Sequence, residues 1–186
     1  MDKDLISRAM ADIIRAVGED PRREGLADTP RRVADMYQEV FSGLSLDPLD
    51  ELLVGFEEGH REMVVLKDIP FYSLCEHHFL PFYGVAHVGY IPNGRVVGIS
   101  KIARVVEIFA KRPQIQERLT TSIANTINSA LEPQGVATVI KAEHLCMTMR
   151  GIKKPGTNIT TSAMRGRFQE SQPTRAEFLS LIQDSK

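Results

Sequence analysis

The chain has 186 residues, of which 42% are hydrophobic and 25% are charged, a composition typical of a globular protein that buries a core. The N-terminus is charged, and no secretory signal or apolar run of membrane-spanning length follows it, so we expect a soluble, cytoplasmic protein with no membrane partner. In a reducing compartment, the two cysteines indicate a metal site or catalysis rather than a disulfide.

Charge is distributed unevenly along the chain, although the net charge is only −1. Residues 1–62 hold 15 acidic and 8 basic side chains, whereas residues 92–168 hold 12 basic and 4 acidic ones. The cationic segment favours a small anionic ligand. Its basic residues are scattered and the chain has no Trp, so we do not expect a nucleic-acid partner.

The N-terminal part is predicted to be helical. Apolar residues at helical spacing predict a helix over residues 3–17, and a second helix begins at Asp28 or Thr29 with Pro30 in its first turn. Residues 44–61 are acidic and irregular, which indicates a linker. We therefore expect an N-terminal helical region, residues 1–61, ahead of a second domain, residues 62–186.

The second domain is predicted to be α+β, with two long helices packed on one face of a mainly antiparallel sheet. The predicted elements are strands at 63–66 and 71–74 broken by Pro70, a hairpin of 84–91 with 95–99, a helix capped by Ser100, a helix opened by Pro113, strands at 136–144 and 157–168, and a last helix with Thr174 and Glu177 as its capping box. The hairpin prediction depends on Asn93-Gly94, a strong turn signal.

Two clusters of metal-binding residue types occur in the chain. Cys75 and His78 have C-x-x-H spacing, which lets one tight turn direct both side chains at a single point, and Cys146 has His144 close by. Three protein ligands plus water match a catalytic zinc site. A closed structural site would need a fourth ligand, for which the candidates are His77, His87 and His144.

The second cluster also has a pattern of its own. If residues 142–150 are extended, the period of two places His144, Cys146, Thr148 and Arg150 on one face. A lone histidine in such a strand is ordinarily a core residue satisfied by hydrogen bonds, but the neighbouring cysteine favours a site.

Two further motifs are weaker when taken alone. Ser100, Lys101 and Arg104 lie at a predicted helix start, where backbone N–H groups also attract phosphate, although such residues are commonly a solvated charged face. Gln116 and Glu117 follow in the next helix. A carboxylate can accept paired N–H donors from a guanine edge, but a helical Glu is usually a surface residue.

Taken together, these motifs resemble GTP cyclohydrolase I of the zinc-dependent type, and the resemblance covers nearly the whole chain from about residue 28. The matching segments, in order, are Thr29-Pro30-x-Arg32-Val33, CEHH at 75–78, GISKIAR at 98–104, RPQIQERL at 112–119, HLCMTMRG at 144–151 and SQxTRxEF at 171–178. Each motif is weak alone, but their shared order and spacing are specific.

The resemblance implies a T-fold domain behind an N-terminal helical pair, and a homodecamer with its sites at subunit interfaces. It implies conversion of GTP and water into 7,8-dihydroneopterin triphosphate and formate, the first step of folate and pterin synthesis, with Zn²⁺ as cofactor. The implied roles are zinc ligands Cys75, His78 and Cys146; acid–base groups His144 and His77; guanine contacts Glu117 and Gln116; and ribose and triphosphate contacts Ser100, Lys101, Arg104, Arg150 and Arg32.

Three other interpretations are open at this point. A T-fold nitrile reductase of queuosine synthesis would use a lone cysteine nucleophile, and the second cysteine–histidine cluster argues against it. The second is a relative of the cyclohydrolase that carries a metal-independent motif, and its sequence pattern is different. A non-catalytic, zinc-stabilised assembly or ligand-binding module is the third.

Overall fold

A computed structural model describes residues 1–183 of the chain, and the contacts between residues divide it into two compact units. The first unit, Met1–Ser42, contains helices α1 (Lys3–Ala16) and α2 (Thr29–Val40), which pack against each other. Both predicted N-terminal helices are therefore confirmed. The Asp2 carboxylate caps α1 by accepting a hydrogen bond from the Leu5 N–H.

The second unit begins at Gly43 and contains all the strands. The strands are β1 (Gly55–Glu57), β2 (Val64–Cys75), β3 (Pro81–Ile91), β4 (Arg95–Val97), β5 (Pro113–Gln114), β6 (Gly135–His144) and β7 (Asn158–Gly166). The remaining helices are a 3₁₀ turn (Ser42–Ser45), α3 (Pro48–Leu52), α4 (Ile99–Ala110), α5 (Gln116–Leu131), α6 (Leu145–Thr148), α7 (Arg167–Glu170) and α8 (Gln172–Ile182).

Five strands form one sheet in the order β5-β2-β3-β6-β7. The neighbours are antiparallel except β5, which runs parallel to β2, so the sheet is mixed. The prediction of an α+β protein is confirmed at this level. Pro70 does not break β2 as predicted, because it pairs with Val85 inside a continuous strand, and the irregularity falls between Leu66 and Ile69.

The predicted hairpin of residues 84–91 with 95–99 is wrong. Strand β3 pairs with β2 and β6, whereas β4 pairs with β1 in a separate two-stranded sheet. Gly94 does adopt the positive φ, 94°, that the Asn-Gly turn requires. The local turn chemistry was therefore read correctly, but it did not determine the partner of the next strand.

The predicted linker over residues 44–61 is also wrong, because it contains α3 and β1. The Asp47 carboxylate caps α3 by accepting from the Leu49 N–H, and Leu52 is fully buried. The Arg112 guanidinium donates hydrogen bonds to the carbonyl oxygens of Gly43 and Leu46. This long-range contact with the start of the segment could not be inferred from its acidic composition.

Three predicted helix starts shift by a few residues. Helix α4 begins at Ile99 with Gly98 as its N-cap, so Ser100 lies in the first turn and is not the cap. Pro113 does not open a helix but lies in β5, and α5 begins at Gln116. The last helix is capped by Ser171 rather than by Thr174, whose N–H donates to the Ser171 hydroxyl.

The two faces of the sheet are covered differently. Helices α4 and α5 cover one face through a core that includes Phe82, Val88, Ile102, Ile123 and Ile140. On the other face, Phe168 of α7 and Phe178 of α8 pack edge to face, with ring centroids 5.6 Å apart. Successive β6 residues alternate between these two cores, as the period of a strand requires.

None of the helices within residues 1–183 combines the length and the apolar character needed to cross a bilayer.

Candidate active site

The register of three strands gathers the two cysteine clusters at one end of the sheet. Leu74, next to Cys75 at the end of β2, pairs with Pro81 at the start of β3, and Phe82 pairs with His144 at the end of β6. Residues 75–78 and 144–146 therefore meet across β3, although about 70 positions separate them in the chain. This proximity is a consequence of the sheet order.

Cys75, His78 and Cys146 bring their ligand atoms to within 4.8 Å of one another. A tight turn after β2 aims His78 back at Cys75, with the His78 and Phe79 N–H groups both donating to the Cys75 carbonyl oxygen. Among residues 1–183, no other cluster of three or more metal-binding side chains is this close, and neither His77, His87 nor His144 joins the group.

The predicted extended path through residues 142–150 is wrong. Strand β6 ends at His144, and Leu145–Thr148 form the short helix α6. Period-two alternation therefore does not place Cys146 and Arg150. Cys146 reaches the group from the first turn of α6, whereas the exposed Arg150 guanidinium donates to His78 Nε2 at 2.9 Å.

The chemistry of the three donors suits a cation. Burial, and then the neighbouring Cys75 thiol, raise the pKa of Cys146. Two thiolates this close repel each other unless a positive charge lies between them. A divalent metal supplies that charge and keeps coordinating thiols deprotonated. Two sulfurs and one imidazole are ligands that Zn²⁺ prefers, with a fourth position left for water.

His144 lies next to this group but is oriented by other contacts. The residue is 8% exposed, and its ring stacks on Phe82, with centroids 4.4 Å apart and planes 7° from parallel. Its Nε2 lies 2.8 Å from Oε1 of Gln116. Burial lowers the pKa of His144, and the nearby Glu117 carboxylate opposes that shift. The side chain is thus held by a ring stack and a hydrogen bond, and it lies close to a carboxylate.

Three further residues predicted for the site, His77, Glu117 and Gln116, differ in their exposure. His77 is exposed, and its Nδ1 lies 3.8 Å from the Cys75 sulfur. Glu117 is also exposed, at the start of α5. Gln116 is not exposed: it is 2% accessible, and its amide is engaged entirely within the chain.

The predicted anion-binding cations are paired within the chain. Lys101 lies 2.8 Å and Arg104 3.6 Å from the same carboxylate oxygen of Glu51 in α3. The hydrogen bond from Lys101 lowers the pKa of Glu51. Ser100 is exposed at the same helix start. Arg32 belongs to the first compact unit, where it is exposed and lies 3.4 Å from Asp28.

Two residues near the site were not anticipated from the sequence. Glu51 falls in the segment predicted to be a linker, and no local signal marks it. Glu76, for which no role was assigned, accepts two hydrogen bonds from the Arg118 guanidinium, at 2.5 and 3.1 Å. This pair links the turn that carries Cys75 and His78 to helix α5. The only signal for it in the sequence is that each residue is a charged member of one of the matching motifs.

Comparison with known proteins matches the chain to one family over nearly its whole length. The family profile of GTP cyclohydrolase I matches residues 6–183. The chain belongs to the GTP cyclohydrolase I family. The matched residues include most of α1 and all the other helices and strands that the structure describes.

Relatives within this family are similar over their full lengths. The chain is 65% identical over 184 residues to a GTP cyclohydrolase 1 of Dehalococcoides mccartyi, covering 98% of this chain and 97% of the relative. It is 58% identical over 187 residues to a GTP cyclohydrolase 1 of Thermoanaerobacter pseudethanolicus, covering both chains completely (100% and 100%). A GTP cyclohydrolase 1 of Bacillus pumilus is 57% identical over 185 residues, covering 99% of this chain and 98% of the relative.

Among solved structures, the apo archaeosine synthase QueF-like protein aligns with 20% identity and a TM-score of 0.45, over 56% of this chain and 93% of that chain. A likeness this distant does not bear on the fold or the activity.

Proposed function

We propose that this GTP cyclohydrolase I family member catalyses the zinc-dependent hydrolytic opening of the guanine imidazole ring of GTP at C8. Formate is released, and 7,8-dihydroneopterin triphosphate is the product, which begins folate and pterin synthesis. The observation that carries the proposal is the Cys75, His78 and Cys146 group beside His144, in a chain that is 65% identical to a GTP cyclohydrolase 1.

Cys75, His78 and Cys146 are the proposed ligands of Zn²⁺, and their two sulfurs and one imidazole support that choice over a hard cation such as Mg²⁺. Bound there, the ion supplies Lewis acidity, which makes water nucleophilic near neutral pH. A neutral imidazole has a single lone-pair nitrogen, so His78 cannot serve both a metal and Arg150. Arg150 would then be free to contact an anion.

His144 is the proposed principal acid–base group. Guanine C8 is a poor electrophile, and protonation at N7 makes attack by water easier. An imidazole can deliver that proton near neutral pH and later move protons during ring opening. His77, which is exposed beside Cys75, is proposed to assist near the ribose.

Glu117 is the proposed contact for the guanine edge. Its carboxylate is exposed and near enough to His144 to oppose the burial effect on the pKa of that histidine. A carboxylate that accepts two N–H groups from guanine would fix the base with C8 near the ligand group. Gln116 was predicted to share this contact, but its 2% exposure supports a different role.

Ser100, Lys101, Arg104 and Arg150 are the proposed contacts for the ribose and triphosphate, with Arg32 as a further candidate. The triphosphate does not react, so these groups would act by anchoring the substrate. Lys101 lies in the first turn of α4 and Arg104 in the second, and backbone N–H groups at a helix start add to the attraction for phosphate. Glu51 holds the two cations next to each other.

For the architecture, we propose a T-fold catalytic domain that follows an N-terminal helical region, with β1 and the rest of residues 43–61 belonging to the catalytic part, and a cytoplasmic homodecamer. Large apolar side chains exposed around β1 and the start of α4 support assembly, because a monomer rarely exposes so many together. They are Leu53, Val54, Phe56 and Ile99, each more than half exposed. Native mass spectrometry would count the subunits.

The test of the proposed function is GTP turnover with and without a metal chelator. We expect formate and a fluorescent pterin, both lost on chelation and restored by Zn²⁺. Folded protein that retains stoichiometric zinc but does not turn over GTP would instead support a zinc-stabilised binding module. Turnover that survives complete metal removal would contradict the zinc role while leaving the cyclohydrolase activity in place.

A further inference from the structure

We propose that Gln116 is a positioning residue that holds neutral His144 as the tautomer protonated on Nε2, which leaves Nδ1 as the nitrogen that exchanges a proton with the substrate. The part of this proposal that concerns the substrate depends on the proposed function. The part that concerns the tautomer depends only on contacts within the chain.

The orientation of the Gln116 amide is determined by its surroundings. Its Nε2 lies 3.1 Å from the Ile140 carbonyl oxygen and 3.0 Å from the Ile159 carbonyl oxygen. Carbonyl oxygens only accept hydrogen bonds, so an amide oxygen placed there would face two acceptors. The –NH₂ group must therefore face the strands β6 and β7, and the amide oxygen must face His144.

The hydroxyl groups of Thr120 and Thr161 complete this arrangement. Thr120 donates to the Gln116 main-chain oxygen at 2.7 Å, and the two hydroxyls lie 2.6 Å apart. Thr161 Oγ1 is also 3.1 Å from Gln116 Nε2. Each hydroxyl has one proton, so Thr161 donates to Thr120 and accepts from the amide. None of these protons points at the amide oxygen of Gln116. The proton shared between that oxygen and Nε2 of His144 therefore comes from His144.

The tautomer of His144 follows from the 2.8 Å contact between its Nε2 and Gln116 Oε1. The amide oxygen can only accept, so Nε2 must carry a proton. The other tautomer would set two lone pairs against each other in a site where Gln116 is 2% and His144 8% exposed. Within residues 1–183, Nδ1 of His144 has no hydrogen-bond partner, which leaves its lone pair for a ligand.

The role that the family resemblance implies for Gln116, a contact to guanine, fits these contacts less well than a positioning role does. Both amide protons are used by three acceptors, and the amide oxygen is used by His144. A guanine contact would require breaking a buried network, whereas neighbouring Glu117 is exposed and needs no such change.

The experiment combines nitrogen-15 NMR of the intact zinc-loaded assembly with steady-state kinetics. The chain has only five histidines, so protein with labelled histidine gives few signals, and a His144→Asn variant identifies those of His144. Spectra are recorded near pH 8, about 1.5 units above the ordinary imidazole pKa, where histidine is neutral. The test variant is Gln116→Met, which keeps the side-chain length and removes both the –NH₂ donor and the carbonyl acceptor of the amide.

Gln114→Met is the matched control. Gln114 is also a buried glutamine, 3% exposed, but its amide donates to the Phe109 carbonyl oxygen and does not touch His144. Both substitutions remove a buried amide, so a general loss of packing would affect both variants.

In the wild type we expect a protonated Nε2 and an unprotonated Nδ1 on His144. In Gln116→Met we expect a mixture of tautomers and a fall in kcat of roughly tenfold to hundredfold, with little change in KM. Gln114→Met should retain the wild-type tautomer signals and kcat. An amide that instead binds guanine would raise KM and leave the tautomer unchanged, which would overturn the proposal.

The wild-type spectrum alone keeps the proposal testable if Gln116→Met does not fold. A wild-type His144 protonated on Nδ1 would refute it without any variant. Because NMR requires no turnover, absence of cyclohydrolase activity would refute the proposed function but leave the tautomer result intact.

Discussion

The site has a buried half and an exposed half, and they are organised in opposite ways. In the buried half, His144, Gln116 and Thr120 are each less than a tenth exposed and joined by hydrogen bonds of 2.7 to 2.8 Å. In the other, more accessible half (the exposed half below), Arg104 is exposed while Lys101 and Glu51 are partly buried, and the two cations share the single carboxylate of Glu51. The first half satisfies its polar groups internally, whereas the second relies on two ion pairs to one exchangeable carboxylate.

The difference reflects the cost of removing polar groups from water. A buried donor or acceptor without a partner costs about 1–3 kcal/mol, so the interior network has to be complete before any ligand arrives. Ion pairs that water can still reach contribute only about 0–1 kcal/mol, so a polyanion can replace one partner at small cost. The buried half is therefore suited to holding a proton in place, and the exposed half to exchanging anions.

The largest expected effect comes from removing a proposed metal ligand next to the buried half. We predict that Cys146→Ser lowers zinc content and GTP turnover together, with turnover falling by about 100-fold or more, since the metal activates the water. Elemental analysis and formate release measure the two quantities. Met147→Leu, the adjacent substitution in α6, should retain both. Full turnover in metal-free Cys146→Ser protein would remove the metal from the mechanism.

An intermediate effect is expected at Glu117, which is exposed and lies near His144 of the buried half. We predict that Glu117→Ala weakens binding of GTP by roughly tenfold to hundredfold, the loss expected for a charge-assisted pair of hydrogen bonds, while inorganic triphosphate binds as before. Calorimetry with both ligands measures the difference. Glu107→Ala removes an exposed carboxylate from α4 and serves as the control. Equal losses for the two ligands would mean that Glu117 does not read the base.

The smallest effect is expected in the exposed half. We predict that Glu51→Gln tightens inorganic triphosphate binding by about threefold, because Lys101 and Arg104 lose a competing anion whose pairing contributes little. The gain should shrink at high salt, where exposed charges are screened.

Asp50→Asn provides the control for that prediction. Asp50 is exposed on the same short helix, and within residues 1–183 it forms no ion pair. Weaker triphosphate binding in Glu51→Gln would show that Glu51 prepares the two cations for the ligand and does not compete with it, which would reverse the contrast between the two halves.

The predictions that held were those that depend on residues close together in the chain. Apolar periodicity located α1 and α2, and the Asn-Gly pair located the turn at Gly94. The C-x-x-H spacing of Cys75 and His78 correctly indicated that one turn could direct both side chains to a point, since that turn is closed by its own backbone hydrogen bonds.

The predictions that failed required knowledge of distant partners. Pro113 was read as a helix start, but it lies beside Leu74 in the sheet. Residues 142–150 were read as extended, but the strand ends where β3 ceases to pair with it, at His144. Local propensity cannot anticipate these outcomes, because each depends on a strand that the residue meets only after folding.

By itself the sequence determined the residue types of the site, the local turns and the family, because these depend on chemistry and spacing within short segments. Only the tertiary structure decided which groups meet. The order of the sheet brings Cys146 to Cys75, and the packing of α5 on β6 and β7 buries Gln116 against His144. The packing of α3 on α4 places Glu51 against Lys101. These contacts join residues that are 28 to 71 positions apart, and their geometry is set by packing against the common core.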